Sequence, residues 1–143
     1  MVASRPETPF LEKVKETILV FDGAMGSLLY ERGIFVTQNF EQLNVTRPDV
    51  VKRIHADYLA AGAQVLLTNT FGANKVRLDR HGLGNEVRSY NLAGARNARE
   101  IAGRDAYVAG SIGPTGLIPG VMTKEELEAA FATFVDQAAA LVE

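Results

Sequence analysis

The chain has 143 residues, of which 47% are hydrophobic and 22% charged, with a formal net charge of -2. That length holds one domain or part of one, and that composition builds a globular core rather than a disordered segment. The near-neutral balance favours neither nucleic acid nor an anionic membrane surface, and no apolar run approaches the roughly 18 residues that span a bilayer.

Residues 1–9 carry Arg5, Pro6 and Pro9 and read as a flexible lead-in to a domain over 10–143. They lack the apolar core of a secretory signal, so the expected location is cytoplasmic. Phe10, Leu11 and Val14 then predict a short amphipathic helix over the end of the first strand. The stretch Ile18-Leu-Val-Phe-Asp-Gly-Ala-Met-Gly26 follows. Four apolar residues without a polar break, bounded by turn residues, fit a strand buried on both faces in a parallel sheet. Asp22 falls at its carboxyl end, the edge where ligands meet the sheet in α/β folds. Gly23 and Gly26 let backbone N–H groups approach a ligand closely. A carboxylate beside bare N–H donors can hold a group carrying both charges, such as an amino acid. As a plain strand-end turn, Asp22 would instead cap the next segment.

Ser27 to Arg32 reads as one or two helical turns stopped by Gly33, and Ile34 to Val45 as irregular. Thr46-Arg-Pro-Asp49 predicts a helix start, with Thr46 as cap and Pro48 in the first turn. Val50, Val51, Ile54, Tyr58 and Ala61 form its expected buried stripe, with His55 beside it. Ala63 to Thr70 is the second predicted strand. A short helical piece then runs to Arg80 and stops at His81-Gly82. Asn85 is placed as the cap of a long helix to Ala102, its inner stripe Val87, Leu92, Ala95, Ala98 and Ile101. Arg88, Arg96 and Arg99 fall on its solvated side, and both histidines read as structural. Ala106 to Ile112 is the third strand, broken by Gly113-Pro-Thr-Gly116. Thr123-Lys-Glu-Glu126 is a capping box opening a last helix. Its expected stripe is Leu127, Phe131, Phe134, Ala138 and Leu141.

The order is β-α three times over, which implies parallel strands. Helix-to-strand connections are short, whereas the strand-to-helix loops are long and hold Asp22, Asn69, Thr70 and Ser111. Those loops build the working face of (β/α) barrels. A full (β/α)₈ barrel needs about 250 residues, and the last helix meets no stop signal before Glu143. The fold class is therefore α/β, the first three βα units of such a barrel, truncated.

Asp22-Gly-Ala-Met-Gly26, Phe40-Glu-Gln-Leu-Asn44, Leu67-Thr-Asn-Thr-Phe-Gly-Ala73 and Gly110-Ser-Ile-Gly-Pro-Thr-Gly116 occur in that order. Together they resemble the homocysteine S-methyltransferase family. The lead-in and Val45-Thr-Arg-Pro-Asp49 look most like its bacterial methionine-synthase type. That type includes chains fused to a methylenetetrahydrofolate reductase or a cobalamin module. The resemblance implies a barrel that binds zinc through three cysteines on later strands. The zinc would hold homocysteine as a thiolate that takes a methyl group to give methionine. The implied partners are homocysteine and a methyl donor, whether methylcobalamin, a folate-linked donor, S-methylmethionine or betaine. By resemblance, Asp22 with the N–H groups of Gly23 and Ala24 would hold the amino-acid end, and Asn69, Thr70 and Phe71 would line the same cavity. The chain departs from the family in having no cysteine. It therefore reads as the amino-acid-binding half, inactive alone, with no catalytic or metal-ligating residue of its own.

Two other readings stay open from sequence. One is an open doubly wound α/β enzyme binding an anion at the 22–26 loop, although that loop lacks both common phosphate-binding glycine patterns. The other is a non-catalytic half-barrel.

Overall fold

The computed structural model describes residues 5–35, 37–117, 120 and 122–142. Residues 1–4 of the expected lead-in and Glu143 of the last helix lie outside them. The sheet is parallel. Strand β1 (Val65–Leu67) pairs with β2 (Tyr107–Ala109) in the register Val65 to Tyr107, Leu66 to Val108 and Leu67 to Ala109. On the other side of β1, residues 18–22 run alongside through a parallel bridge from Phe21 to Val65. Gln64 and Val65 both donate to Val20 O, and Asp22 N donates to Val65 O at 3.0 Å.

This first apolar run corrects the expectation of a strand buried on both faces. Ile18 is 88% exposed and Phe21 45%. Among the described residues only β1 pairs with the run, and its faces stay partly open. Periodicity reports that a segment is apolar; it cannot report where in the sheet the segment will lie.

Seven α-helices surround the sheet among the described residues: α1 (Phe10–Glu16), α2 (Met25–Glu31), α3 (Leu43–Thr46), α4 (Pro48–Ala60), α5 (Lys75–Asp79), α6 (Val87–Ala102) and α7 (Lys124–Val142). Helix α1 buries no residue. It leans on the start of β2, where the Phe10 ring meets Tyr107 edge-on at 5.4 Å and Tyr107 Oη donates to Thr8 O. Thr46 does not cap α4. It ends α3, its hydroxyl turned back to Gln42 O, while Pro48 opens α4 behind Arg47. Asn85 likewise lies in a 3₁₀ turn, Gly84–Glu86, that precedes α6 without a side-chain cap. The capping box at the start of α7 forms as read: Glu126 N donates to Thr123 Oγ1 at 3.2 Å and Thr123 N to Glu126 Oε2 at 2.8 Å.

Two predicted stripes are rotated. On α6 Val87 and Ala98 are buried as expected, but Tyr90, Asn91, Gly94 and Asn97 share the buried face, while Leu92, Ala95 and Ile101 are half-buried. On α7 it is Ala130, Thr133, Gln137 and Ala140, while Phe131 is 59% exposed. The same cause acts on both helices. The loops after the strands present backbone carbonyls and hydroxyls, and the helix faces opposite them must carry amides to satisfy these groups. Gly94 marks the contact, since a methyl there would lie 2.5 Å from Thr70 Cγ2 and 2.9 Å from Asn44 Nδ2. Arg99 also leaves the solvated side. It bends to Gly103 O and Ala106 O, both at 2.8 Å, and holds the turn from α6 into β2.

His55 is fully buried within α4, and neither ring nitrogen has a hydrogen-bond partner. Burial pushes it down to about 4 from its ordinary 6.5. Between those values the unfolded chain takes up a proton that the folded chain refuses, so this residue's contribution is full above pH 6.5 and is lost as pH falls toward 4. Relative to His55→Leu, the wild-type protein should therefore lose stability over that window, by roughly 3 kcal/mol in all. Thermal melts of both proteins from pH 7 to 4.5 measure it. A constant difference in Tm would contradict a neutral, buried imidazole.

Candidate functional site

The three strand-to-helix loops enclose a cavity of about 610 Å³ at the carboxyl edge of the sheet. The loop after the bridged segment 18–22 supplies Asp22, Gly23 and Ala24; the loop after β1 supplies Asn69, Thr70 and Phe71; Ser111 comes from the loop after β2. Every candidate site residue named from the sequence thus borders one space.

Asp22 is the charged centre of the first loop. Its Oδ2 accepts from Leu67 N at 3.0 Å, which fixes the side chain against the end of β1. Its Oδ1 is buried and has no partner. Burial pushes the carboxyl up to about 6, against the opposing pull of the N–H groups of Leu67 and of Asp22 itself. Gly23 and Ala24 follow, and their N–H groups donate no hydrogen bond among the described residues. Tyr58 sets the loop's course: its Oη donates to Ala24 O at 3.1 Å, and a methyl on residue 23 would lie 2.8 Å from Tyr58 Oη. A methyl there would push the Tyr58 ring aside. Burial, then the Asp22 charge, raises the Tyr58 hydroxyl above its ordinary value and keeps it a donor.

Asn69 and Thr70 border the cavity, but their hydrogen bonds serve the scaffold. Asn69 Nδ2 donates to Phe40 O and Asn44 Oδ1, while Asn44 Nδ2 donates to Asn69 O at 2.7 Å and Tyr90 O at 3.1 Å. Thr70 Oγ1 donates to Ser111 O at 2.8 Å, Ser111 N donates to Thr68 Oγ1, and Gln137 Nε2 from α7 donates to Thr70 O at 2.6 Å. These bonds tie the ends of β1 and β2 together and to α3, α6 and α7. Phe71 is different. Its ring is 52% exposed and carries the Arg77 guanidinium 5.6 Å from its centroid.

Reading the sequence missed several residues of the rim. Glu41 lines the cavity and accepts Gly72 N at 2.7 Å, while Arg77, Arg80 and His81 line it from α5 and the turn beyond. His81, read as structural, belongs to this rim, whereas His55 does not. The signal for Glu41 was present in Phe40-Glu-Gln-Leu-Asn44. For α5 it was not, because a basic helical turn reads the same whether it faces a cavity or open water.

The family model for homocysteine S-methyltransferase matches residues 19–143. The chain belongs to that family. The methionine synthases of Mycobacterium tuberculosis and Mycobacterium leprae are each 35% identical over 126 residues, covering 79% of this chain but 10% of their own length. The chain thus spans a small part of the curated relatives it matches. Among solved structures, the oxidised form of the homocysteine methyltransferase MmuM from Escherichia coli matches 95% of this chain and 53% of its own, at TM-score 0.75 and 25% identity. Its metallated form matches at TM-score 0.74 and 23% identity, a likeness of fold.

The zinc that the family implies does not fit the donors here. The sequence has no cysteine, and among the described residues no three His, Asp or Glu side chains gather to hold a metal ion.

The scaffold role of the amides has a measurable consequence. Asn44→Ala strips partners from Asn69 O, Tyr90 O and the Asn69 amide, and an orphaned buried polar group costs about 1–3 kcal/mol. Urea unfolding should show a loss of about 2 kcal/mol or more, against less than about 0.5 kcal/mol for the exposed Asn85→Ala. Equal losses in the two variants would contradict the network.

Proposed function

We propose that this chain binds the amino-acid end of homocysteine in a homocysteine S-methyltransferase. In this reading it forms the first three βα units of a (β/α)₈ barrel, and the zinc ligands of the family lie outside these residues. The observation that carries the reading is Asp22: a fixed carboxylate with one buried, unpartnered oxygen, beside two free N–H groups, on a cavity wall. An α-amino acid presents an ammonium and a carboxylate on one carbon, which matches that pair of features. The ammonium gives Asp22 Oδ1 the partner it lacks, and the N–H groups of Gly23 and Ala24 receive the carboxylate. Met25 and Phe71 supply apolar surface for the methylenes. Asn69 and Thr70 hold the wall in shape. The substrate sulfur then projects away from this loop, toward whatever activates it.

Pairing with the ammonium requires the ionised carboxyl. In the empty site Asp22 titrates near 6, so homocysteine affinity should be constant above pH 7 and fall about tenfold per pH unit below 6. Asp22→Asn keeps the shape and removes the charge. Losing one partner of a buried charged pair costs about 2–5 kcal/mol, so affinity should fall roughly 30-fold or more and lose its dependence on pH. Calorimetric titration of homocysteine into both forms of the protein carrying this chain, from pH 5 to 8, decides the matter. Unchanged affinity with a lowered Tm would make Asp22 only a loop cap.

A further inference from the structure

The amino-acid reading leaves the cationic part of the rim without a role. Arg77 and Arg80 line the cavity, yet neither has a carboxylate partner among the described residues. Lys75, on the same helix, does pair with Asp79 at 3.2 Å. Arg77 lies over the Phe71 ring. It also stands with Glu41 above Gly72, where a methyl would lie 3.2 Å from Arg77 Nε and 2.6 Å from Glu41 Oε1. That Glu41 oxygen is already held by Gly72 N. Arg80 points to the third loop, its Nη2 lying 3.2 Å from where a methyl on Gly116 would be. Gly116 has φ of 77°, a region that favours glycine, so the chain passes beneath the guanidinium without a side chain between them.

The positions around the rim separate two charges. Asp22 is pinned to Leu67 N by the first loop, and Arg80 abuts the third. An amino acid as small as homocysteine carries both its charges on one carbon, and the 22–24 loop answers both. A cavity of about 610 Å³ has room for a second reactant beside it. A guanidinium offers paired donors that match a carboxylate or a phosphate.

We propose that Arg77 and Arg80 are specificity residues for the methyl donor, receiving a carboxylate or phosphate that it carries. The proposal rests on the homocysteine reading of the Asp22 wall, and the test separates the two. The protein carrying this chain, saturated with homocysteine, is titrated with inorganic phosphate and, separately, with glutarate. At least one should bind, with affinity that falls as salt rises. Binding of phosphate alone indicates a phosphate-bearing donor; binding of glutarate alone indicates a carboxylate-bearing one. Arg80→Gln should weaken the bound anion about tenfold or more, and Arg80→Lys should restore part of it. Arg77→Gln should weaken it comparably. Arg80 is exposed and makes no stacking contact, so its variant is the decisive one. Homocysteine affinity should stay unchanged in Arg80→Gln. If it falls instead, the arginine reads homocysteine's own carboxylate and the proposal is wrong. It is equally wrong if neither anion binds the wild type more tightly than Arg80→Gln. Should homocysteine itself fail to bind, the Asp22 reading falls, and anion binding measured without homocysteine still judges the arginines.

Discussion

Leu67 N–H donates to Asp22 Oδ2 across the sheet at 3.0 Å, and the architecture around the cavity depends on that bond. It joins the end of an exposed edge segment to the end of the central strand, and so fixes where the first loop begins. The segment is tied to the same strand by Gln64 N and Val65 N, which donate to Val20 O, and by Asp22 N, which donates to Val65 O. One carboxylate oxygen serves the scaffold, which leaves the other buried and without a partner. The raised pKa follows directly, since burial opposes the charge more strongly than two N–H groups support it.

Around that bond the loops are held by amides rather than by apolar packing. Asn44, Asn69, Asn97 and Gln137 each bond to main-chain carbonyls. Apolar side chains could not do this work. Strand-to-helix loops expose carbonyls that no sheet partner satisfies, and a buried carbonyl without a donor is costly. The result is a rim built on polar contacts, lined by the carboxylates of Asp22 and Glu41, the N–H groups of Gly23 and Ala24 and the guanidiniums of Arg77 and Arg80. Binding groups placed on a preformed wall lose little entropy when a ligand arrives. Tyr58 extends the same logic to the 22–24 loop from α4, holding Ala24 O and crossing over Gly23.

Charge along the rim is divided by loop. The first loop is acidic, the α5 region after β1 is basic, and Phe71 lies at the foot of the basic group. Glu41 stands beside Arg77 near Gly72, while Arg80 has no carboxylate partner among the described residues.

Local sequence determined much of this protein. The Thr123–Glu126 capping box and Pro48 at the start of α4 follow from interactions within a few residues, which sequence records directly. The motif residues Asp22, Asn69, Thr70 and Phe71 do border one cavity, because each lies at or just beyond the carboxyl end of a parallel strand, and such ends meet at one edge. The tertiary structure alone decided the exposure of Ile18, the rotation of the buried faces of α6 and α7, and the arrival of Arg77, Arg80 and His81 at the rim. An apolar count cannot tell an edge strand from a central one, and a helix facing carbonyls buries amides rather than its greasiest side. Those outcomes depend on what lies across the gap, and the residue across the gap is usually tens of positions away along the chain.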